Sequence, residues 1–352
     1  MVSKIKLTNF RKFKNLELDI DKDIVVLHGD NAVGKSTILE AISLITNGKS
    51  PWASTDEYIS TNQEEETPFC RIEISTKEDG EEKTYSYYKT NSRRILKIND
   101  KNTPIRKFFE ETASTIFNPE KIEILMISPS KRREFLDEII STLDYEYVET
   151  LKQFRKVLKQ RNAYLKKLSK QFYDKGIIAR NDPQLNFWTN EFLKSAEKIQ
   201  EMRERLSKRI ATKKLKVEYI KSNSDIALED ALEHSKKRDI ATGYTNVGPH
   251  RDDWELINGM NIKKYGSRGE KRLSIGKLIF EVQKIMKKEL GYYPILLLDD
   301  IASELDKKNT AEIFKPEILN KQQTFITIID YKNLPKEVID KAQLINLNEI
   351  PA

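Results

Sequence analysis

The sequence predicts an α/β protein in which two separated segments build one domain and a helical hairpin is inserted between them. Three observations predict this class. The first 125 residues contain short apolar runs typical of strands, residues from about 130 to 220 follow a helical period, and strands alternate with helices after Tyr244. A chain of 352 residues is long enough for two domains or for one domain with a large insertion.

The composition argues against several classes of protein. No run of about 18 apolar residues occurs, so a membrane span is not expected. The N-terminal residues lack the apolar stretch of a signal peptide, and we expect a soluble, cytosolic protein. Cys70, the one cysteine, stands in an alternating run typical of a structural strand residue. His28, His234 and His250 are too scattered to predict a zinc site.

The charge is unevenly distributed along the chain. There are 62 Lys and Arg against 55 Asp and Glu, a formal net charge of +7. Residues 151–220 contain 19 Lys and Arg against 7 Asp and Glu, a balance of +12 that leaves −5 for the rest. Such a basic segment favours a surface that faces a polyanion, although a solvated helical surface would explain the same charge.

Short strands around one helix are predicted for the first segment. Alternation with a period of two residues is typical of half-buried antiparallel strands. A helix is predicted from Lys35 to about Thr46, where Ile38 and Ile42 share one face. The predicted strands are Val2 to Leu7, Leu16 to Ile20, Asp23 to His28, Cys70 to Ser75, Lys83 to Tyr88 and Ile95 to Ile98.

Two long helices are predicted within the basic segment. Apolar residues recur at steps of three and four from Leu151 to Phe172 and from Trp188 to Leu206, and Arg161 occupies one expected apolar position. Turn residues between Tyr173 and Pro183 separate the two runs. Two helices of about 45 Å each that share an apolar seam predict an antiparallel hairpin.

The C-terminal segment is predicted to alternate strands and helices. Trp254 to Ile257 and Met260 to Tyr265 flank Asn258-Gly259, which predicts a β-hairpin. The continuous apolar runs that follow are typical of buried parallel strands. The remaining predicted elements are a helix from Ser267 to about Leu290, a strand from Ile295 to Leu298, a helix from about Asp306, a strand from Thr324 to Ile329, and a last helix and strand.

The segment Gly29 to Ser36, GDNAVGKS, fits the phosphate-loop pattern G-x-x-x-x-G-K-[ST] between a predicted strand and a predicted helix. Glycines let backbone N–H groups turn toward phosphates, and the helix N-terminus adds its positive dipole end. Lys35 is expected to reach the β- and γ-phosphates and Ser36 to hold Mg²⁺. The candidate ATP-binding residues here are Gly29, Asp30, Asn31, Ala32, Val33, Gly34, Lys35, Ser36 and Thr37.

Two acidic residues follow the buried strand Ile295 to Leu298. Asp299 is expected to bind Mg²⁺ beside Ser36, and Asp300 to orient or deprotonate the attacking water. Strand ends also carry Asp as a turn or cap residue, but the phosphate loop favours the metal role.

Asp299 follows Lys35 by 264 residues, with the helical hairpin between them. We therefore predict a split head of residues 1–125 and 236–352 with a helical arm at 126–235.

This layout, with Phe10-Arg11-Lys12-Phe13 near the N-terminus, resembles the ABC/SMC-type head ATPases, and finer motifs resemble the bacterial RecF family over most of the chain. The resemblance implies a head with antiparallel and parallel β layers. Besides the phosphate loop, the matching stretches are Leu39 to Ile42, Phe117 to Glu120, Lys131 to Asp137, Leu158 to Asn162, Gly248 to Asp253, and Asp299 to Asp306, which resembles a Walker B motif and D-loop.

Ser267, Arg268 and Gly269 resemble the signature segment of these ATPases, which contacts the nucleotide held by the opposite subunit. The family pattern has glutamines at positions 268, 270 and 271, so this segment departs from it. Ser267 with Glu270 also fits a capping box, and both interpretations can hold. The resemblance implies an ATP-dependent homodimer that encloses two ATP molecules.

Other catalytic positions are less clear from the sequence. A switch histidine has no counterpart, and Thr327 and Asp330 lie in its neighbourhood. Glu120 lies where the family has a Q-loop glutamine. His250 is expected either at the dimer face or in a structural salt bridge.

The resemblance implies sequence-nonspecific binding of gapped DNA and single-strand/double-strand junctions, slow DNA-stimulated ATP hydrolysis, and action with RecO and RecR to place RecA on DNA. Basic residues would contact phosphates, which makes binding salt-dependent. Two alternatives stay open: a nucleotide-gated clamp with negligible hydrolysis, and a phage-defence ATPase partnered with a nuclease. The candidate DNA contacts are Lys131, Arg132, Arg133, Arg155 and Lys159, with Lys152, Lys166 and Lys167 on the same arm.

Overall fold

Two compact units make up the chain. The computed structural model describes residues 1–52, 59, 68–78, 80–118, 128–175, 182–224, 226–300, 307–314, 319 and 321–350. One unit joins Met1–Ile122 with Ile275–Ala352, and the other is Glu123–Ser274. The functional division at 125 and 235 predicted above stays a prediction.

The N-terminal segment forms strands and two helices where its apolar residues alternate or recur. The predicted strands are confirmed, and the short helix at Ile105 is an addition to the prediction. The elements are β1 (Val2–Phe10), β2 (Phe13–Asp19), β3 (Ile24–His28), α1 (Lys35–Asn47), β4 (Phe69–Glu78), β5 (Glu81–Thr90), β6 (Arg94–Ile98), β7 (Lys101–Asn102), α2 (Ile105–Glu110) and β8 (Ser114–Phe117).

The second compact unit and the C-terminal segment follow. The long helices, the helix after Ser267 and the late strands are confirmed where they were predicted. The elements are α3 (Pro129–Leu143), α4 (Tyr145–Lys175), α5 (Pro183–Arg209), β9 (Leu215–Ile220), α6 (Leu228–Thr242), β10 (Asp253–Asn258), α7 (Ile262–Tyr265), α8 (Arg268–Leu290), β11 (Ile295–Asp299), α9 (Lys307–Ile313), β12 (Thr324–Ile328), α10 (Lys336–Ile339) and β13 (Gln343–Asn346).

In the first unit, the described strands form an antiparallel sheet of order β2-β1-β4-β5-β6-β7. Its inner face carries the apolar half of each alternating strand; for example, Ile5 opposes Ile74 and Leu7 opposes Ile72. Cys70 belongs to this core, and burial raises the pKa of its thiol to about 12, which fits a structural residue. The apolar face of α1, including Ile38 and Ile42, packs into the same core.

The other described sheet of this unit is parallel, with the order β13-β3-β12-β11-β8. Strands from the two ends of the chain are neighbours in it: β12 pairs with β3, and β11 pairs with β8. The prediction that distant segments build one domain is therefore confirmed. Because every pair is parallel, the carboxyl ends of β3, β12 and β11 meet at one edge, where the phosphate loop begins.

In the second unit, α4 and α5 form the predicted antiparallel hairpin. Leu165 packs with Leu185 and with Ile240 of α6, while Lys198 in the second half of α5 pairs with Glu146 at the start of α4. The turn residues at 176–181 lie outside the described residues.

Two predictions about the second unit were wrong. Leu215 to Ile220 is a strand and not helical, because its alternating residues pair with β10.

The predicted β-hairpin at Asn258-Gly259 is the second correction. Pairing across the turn is limited to one antiparallel bridge between Ile257 and Asn261, because the chain enters α7 at Ile262. The turn itself exists, because Gly259 has φ of +76° and the Asn258 N–H donates to the Met260 carbonyl. Asn261 then caps α7 by accepting from the Lys264 N–H.

Candidate nucleotide site

The phosphate loop connects β3 to α1, as predicted. Gly34 is the residue before α1 and has φ of +102°, a conformation that glycine adopts without a steric penalty. A Cβ atom at Gly34 would lie 2.4 Å from Cζ of Phe13, so a side chain here would displace that ring. Both the backbone conformation and the packing therefore require the glycine of the motif.

Lys35 is folded back into this loop. Its Nζ donates to the carbonyl oxygens of Gly29 at 2.7 Å and Asp30 at 2.6 Å, and the residue is 8% exposed. Burial lowers the pKa of the ammonium group. The two carbonyls thus occupy the donors that phosphate oxygens would take.

Ser36, Asp299 and Thr327 meet at the carboxyl edge of the parallel sheet. The Ser36 hydroxyl donates to Oδ1 of Asp299 at 2.8 Å, and the Thr327 hydroxyl donates to the same oxygen at 2.7 Å. Burial raises the pKa of the Asp299 carboxyl, although the two hydroxyl donors act in the opposite direction. The structure therefore brings together the two residues that the sequence predicted to share a metal, and it adds Thr327.

Asp300 turns the chain away from the strand end. It has φ of +47°, in the left-handed region that Asp tolerates better than most residues. Its N–H donates to the Thr327 hydroxyl at 2.9 Å, so β12 fixes the backbone at both acidic residues. The residues after it, 301–306, include most of the predicted D-loop and lie outside the described residues.

Two further side chains contact the loop and were missed by the sequence interpretation. The Asn348 side-chain oxygen accepts from the Asp30 N–H at 3.0 Å, and the Lys12 ammonium group donates to the Ala32 carbonyl at 3.0 Å. Asn348 follows Asp30 by 318 residues, and no local pattern connects them. Lys12 lies in the Phe10–Phe13 motif, but nothing in that motif predicts its contact with the loop.

The predicted signature segment lies in the second compact unit, at the start of α8. The Ser267 N–H donates to Glu270 at 2.8 Å, and the Glu270 N–H donates to the Ser267 hydroxyl at 3.3 Å. These bonds to Ser267 lower the pKa of the Glu270 carboxyl. The capping box is therefore confirmed, and Arg268 and Gly269 form the first helical turn after it.

The other positions whose catalytic roles were less clear from the sequence lie in different surroundings. Asp330 accepts from the Lys332 N–H and caps a short turn of 3₁₀ helix. His250 is largely buried, its Nε2 contacts the Thr245 carbonyl at 2.9 Å, and burial lowers its pKa to about 4. No described ion pair includes His250, so a salt-bridge role is not supported. Glu120 lies outside the described residues.

The candidate DNA contacts differ in their exposure. Arg132 is 1% exposed and donates twice to Asp253, so its prediction as a DNA contact is corrected: its guanidinium group holds α3 to β10. Arg133 is partly buried, donates to the Asp252 carbonyl, and has its pKa lowered by burial. Lys131 is exposed and pairs with Glu134. Arg155 and Lys159 are exposed on α4.

Among the helices that the structure describes, none is long and apolar enough to cross a membrane. Across the described residues, no group of three or more His, Cys, Asp or Glu side chains is arranged to hold a metal ion. The Ser36 hydroxyl and the Asp299 carboxylate offer the oxygen ligands that Mg²⁺ takes beside substrate phosphates, so these two residues fit that ion.

Comparisons with known proteins agree with this geometry. The model of the RecF/RecN/SMC N-terminal domain matches residues 1–345. The DNA replication and repair protein RecF of Clostridium kluyveri is 34% identical over 97% of this chain and 96% of its own length. The protein of the same name from Clostridium acetobutylicum is 32% identical over 95% of this chain and 94% of its own length.

Solved structures give the same result for the fold. The recombination mediator protein RecF-ATPrS of the RecFOR pathway has a TM-score of 0.80 and 28% identity, covering 99% of this chain and 96% of its own. An Smc head domain of Pyrococcus furiosus has a TM-score of 0.52 at 16% identity, over 98% of this chain and 93% of its own. The fold class predicted from the sequence, an ABC/SMC-like head, is confirmed.

Proposed function

Because this chain belongs to the RecF family of DNA replication and repair proteins, we propose that it is a DNA-binding ATPase that uses Mg²⁺ and hydrolyses ATP slowly. The observation that carries this proposal is the hydrogen bond between Ser36 and Asp299, which lie 263 residues apart in the sequence. It places the hydroxyl of a phosphate loop beside an acidic residue at the end of a neighbouring parallel strand. P-loop ATPases require this pair.

The phosphate loop binds ATP through residues 29–37. Its backbone N–H groups and the start of α1 surround the phosphates, and the Lys35 ammonium group leaves the Gly29 and Asp30 carbonyls for phosphate oxygens. Ser36 and Asp299 would hold Mg²⁺, which would neutralise negative charge on the phosphates of the nucleotide. Thr327 keeps the Asp299 carboxylate oriented through its hydroxyl.

Asp300 acts on the attacking water, orienting it or accepting its proton. Support comes from its place immediately after Asp299 and from the anchoring of its N–H on Thr327. A carboxylate in this position is suited to general-base catalysis.

Two copies of the chain associate when ATP is bound, with Ser267, Arg268 and Gly269 of each copy on the nucleotide of the other. The backbone N–H groups of Arg268 and Gly269 at the start of α8 take no part in the capping box and suit a γ-phosphate. The RecFOR pathway named for similar structures supports RecO and RecR as partners, with RecA acting downstream. Gapped or junction DNA is the proposed substrate of the assembly.

DNA is bound mainly through phosphates, without sequence preference. Arg155 and Lys159 are the best placed of the predicted contacts, because both are exposed on α4. Lys131 and Arg133 contribute less, since Lys131 pairs with Glu134 and Arg133 donates to a backbone carbonyl. Binding to phosphates predicts a steep loss of affinity with increasing salt.

ATP turnover with and without gapped DNA tests this function. We expect slow turnover by the wild type that DNA increases, no nucleotide binding by Lys35→Met, and about 100-fold lower turnover by Asp300→Asn with binding retained. Lys101→Met, an exposed lysine on β7, is the matched control and should behave as the wild type. Wild-type turnover no faster than that of Lys35→Met would refute the ATPase and leave the nucleotide-gated clamp.

A further inference from the structure

One face of α4 carries a basic stripe. Its members form two groups, at 155–159 and at 166–170, and two helical turns separate Lys159 from Lys166. All of them are exposed, and among the described residues none has an acidic partner within salt-bridge distance. Glu149 pairs with Lys152 before the stripe begins, and Asp174 follows its end. The stripe consists of Arg155, Lys156, Lys159, Lys166, Lys167 and Lys170.

Two exposed tyrosines lie at the C-terminal end of this stripe. Tyr173 is 73% exposed and continues the face of Lys166 and Lys170 by one turn. Tyr244 is 47% exposed and comes from the segment after α6. The rings are thus supplied by two different parts of the second unit, and both lie beside the basic residues.

Contacts between α4 and the end of α6 hold these rings in place. The Tyr173 hydroxyl donates to the Ala241 carbonyl at 3.4 Å, and the Lys166 Nζ lies 4.9 Å from the centroid of the Tyr244 ring. Gly243 has φ of +72°, and a Cβ atom there would lie 3.3 Å from Cγ of Lys166. The chain therefore passes closely over α4 and leaves Tyr244 on its surface, with its ring face next to a cation.

Exposed tyrosines beside unpaired lysines suit a polyanion that also presents flat rings. Exposed aromatic side chains do not contribute to the hydrophobic core. They are typical of surfaces that bind single strands, because successive bases stack on the rings and the phosphates contact nearby cations. A duplex keeps its bases stacked inside and offers only phosphates to this surface. A partner protein or an anionic membrane would use the charge but would not need two separate rings.

We propose that Tyr173 and Tyr244 stack on unpaired bases of a DNA strand whose phosphates follow the basic stripe of α4. This inference rests on the proposed DNA binding and makes it more specific: the stripe binds any DNA, and the two tyrosines select an unpaired segment. The end of the stripe at Lys170 is then the position where a duplex gives way to a single strand.

Fluorescence anisotropy with a blunt duplex and with the same duplex carrying a single-stranded tail tests this inference on the full chain. The variant Tyr173→Ser/Tyr244→Ser should lose about 10-fold or more in affinity for the tailed probe and less than 2-fold for the blunt duplex. Tyr173→Phe/Tyr244→Phe should bind as the wild type, because the rings remain. Lys159→Gln/Lys170→Gln should weaken binding of both probes.

Phe187→Ser is the matched control, since Phe187 is an exposed aromatic residue on α5 with no basic residue within five positions of it. Thermal unfolding of each variant separates a binding defect from misfolding. Equal losses on both probes, or no loss from the serine variant, would refute the stacking role and leave the DNA-binding proposal standing. Failure of the wild type to bind either probe would overturn both.

Discussion

At the level of single residues, the buried ammonium group of Lys35 is satisfied by local partners. Two carbonyls of the phosphate loop, those of Gly29 and Asp30, accept its protons. A buried ammonium group without such partners would be costly. Phosphate oxygens would replace the Gly29 and Asp30 carbonyls as acceptors for this ammonium group.

The buried His250 should make the stability of the protein depend on pH. Its pKa is lowered from 6.5 to about 4 in the folded chain, so the unfolded chain binds a proton at a higher pH than the folded chain does. The neutral imidazole therefore contributes to the free energy of unfolding in full above pH 6.5, and this contribution is lost as the pH falls toward 4. We expect the wild type to lose about 3 kcal/mol more than His250→Gln over this range.

Urea unfolding of the wild type and His250→Gln at several pH values checks this expectation. The difference in the free energy of unfolding between the two proteins should change steadily between pH 7 and 4, because the other titrating groups are common to both. A constant difference over this range would contradict a depressed histidine pKa.

At the scale of elements, a buried ion pair joins the helical hairpin to α6. Arg161 of α4 donates to Asp239 of α6 at 2.9 Å, and both side chains are almost fully buried. Thr245 accepts a second bond from Arg161, and Asn246 donates to Asp239. This contact explains why Arg161 occupies a position where the helical pattern expects an apolar residue: it joins α4 to α6.

Breaking this pair should destabilise the second unit strongly. We expect Arg161→Leu to cost about 3–5 kcal/mol of unfolding free energy, because Asp239 would keep a buried charge without its partner. Arg161→Leu/Asp239→Leu should cost less than the sum of the two single variants. Urea denaturation of all four proteins measures the coupling, and additive costs would argue against a charge pair.

For the whole molecule, the parallel sheet unites distant parts of the sequence. Strand β12 lies between β3 and β11, so Thr327 is positioned to contact both acidic residues of the site. The nucleotide site therefore depends on the pairing of strands from both ends of the chain. A change in this sheet should affect nucleotide binding even when no phosphate ligand is altered.

Association of two whole chains should depend on the bound nucleotide. We expect the wild type to be monomeric with ADP and dimeric with ATP, and Asp300→Asn to accumulate as a dimer because ATP persists. Sedimentation velocity with each nucleotide measures the state. Lys35→Met should stay monomeric throughout, and a wild type that stays monomeric with ATP would exclude the two-chain mechanism.

The sequence by itself determined the features that depend on neighbouring residues. The phosphate loop from Gly29, the capping box at Ser267 and the periodicity of the long helices are local patterns, and each was found where it was predicted. The pairing of Ser36 with Asp299 was also predicted, because each belongs to a motif that requires the other.

Tertiary structure alone decided which residues surround these motifs. Thr327 on Asp299, Asn348 on the phosphate loop and Arg132 on Asp253 are contacts between segments that no periodicity connects. Burial changed the expected role of Arg132, since a guanidinium group enclosed with its carboxylate cannot reach a phosphate. The physical reason is that desolvation and hydrogen-bond geometry depend on distances in space, which sequence separation does not define.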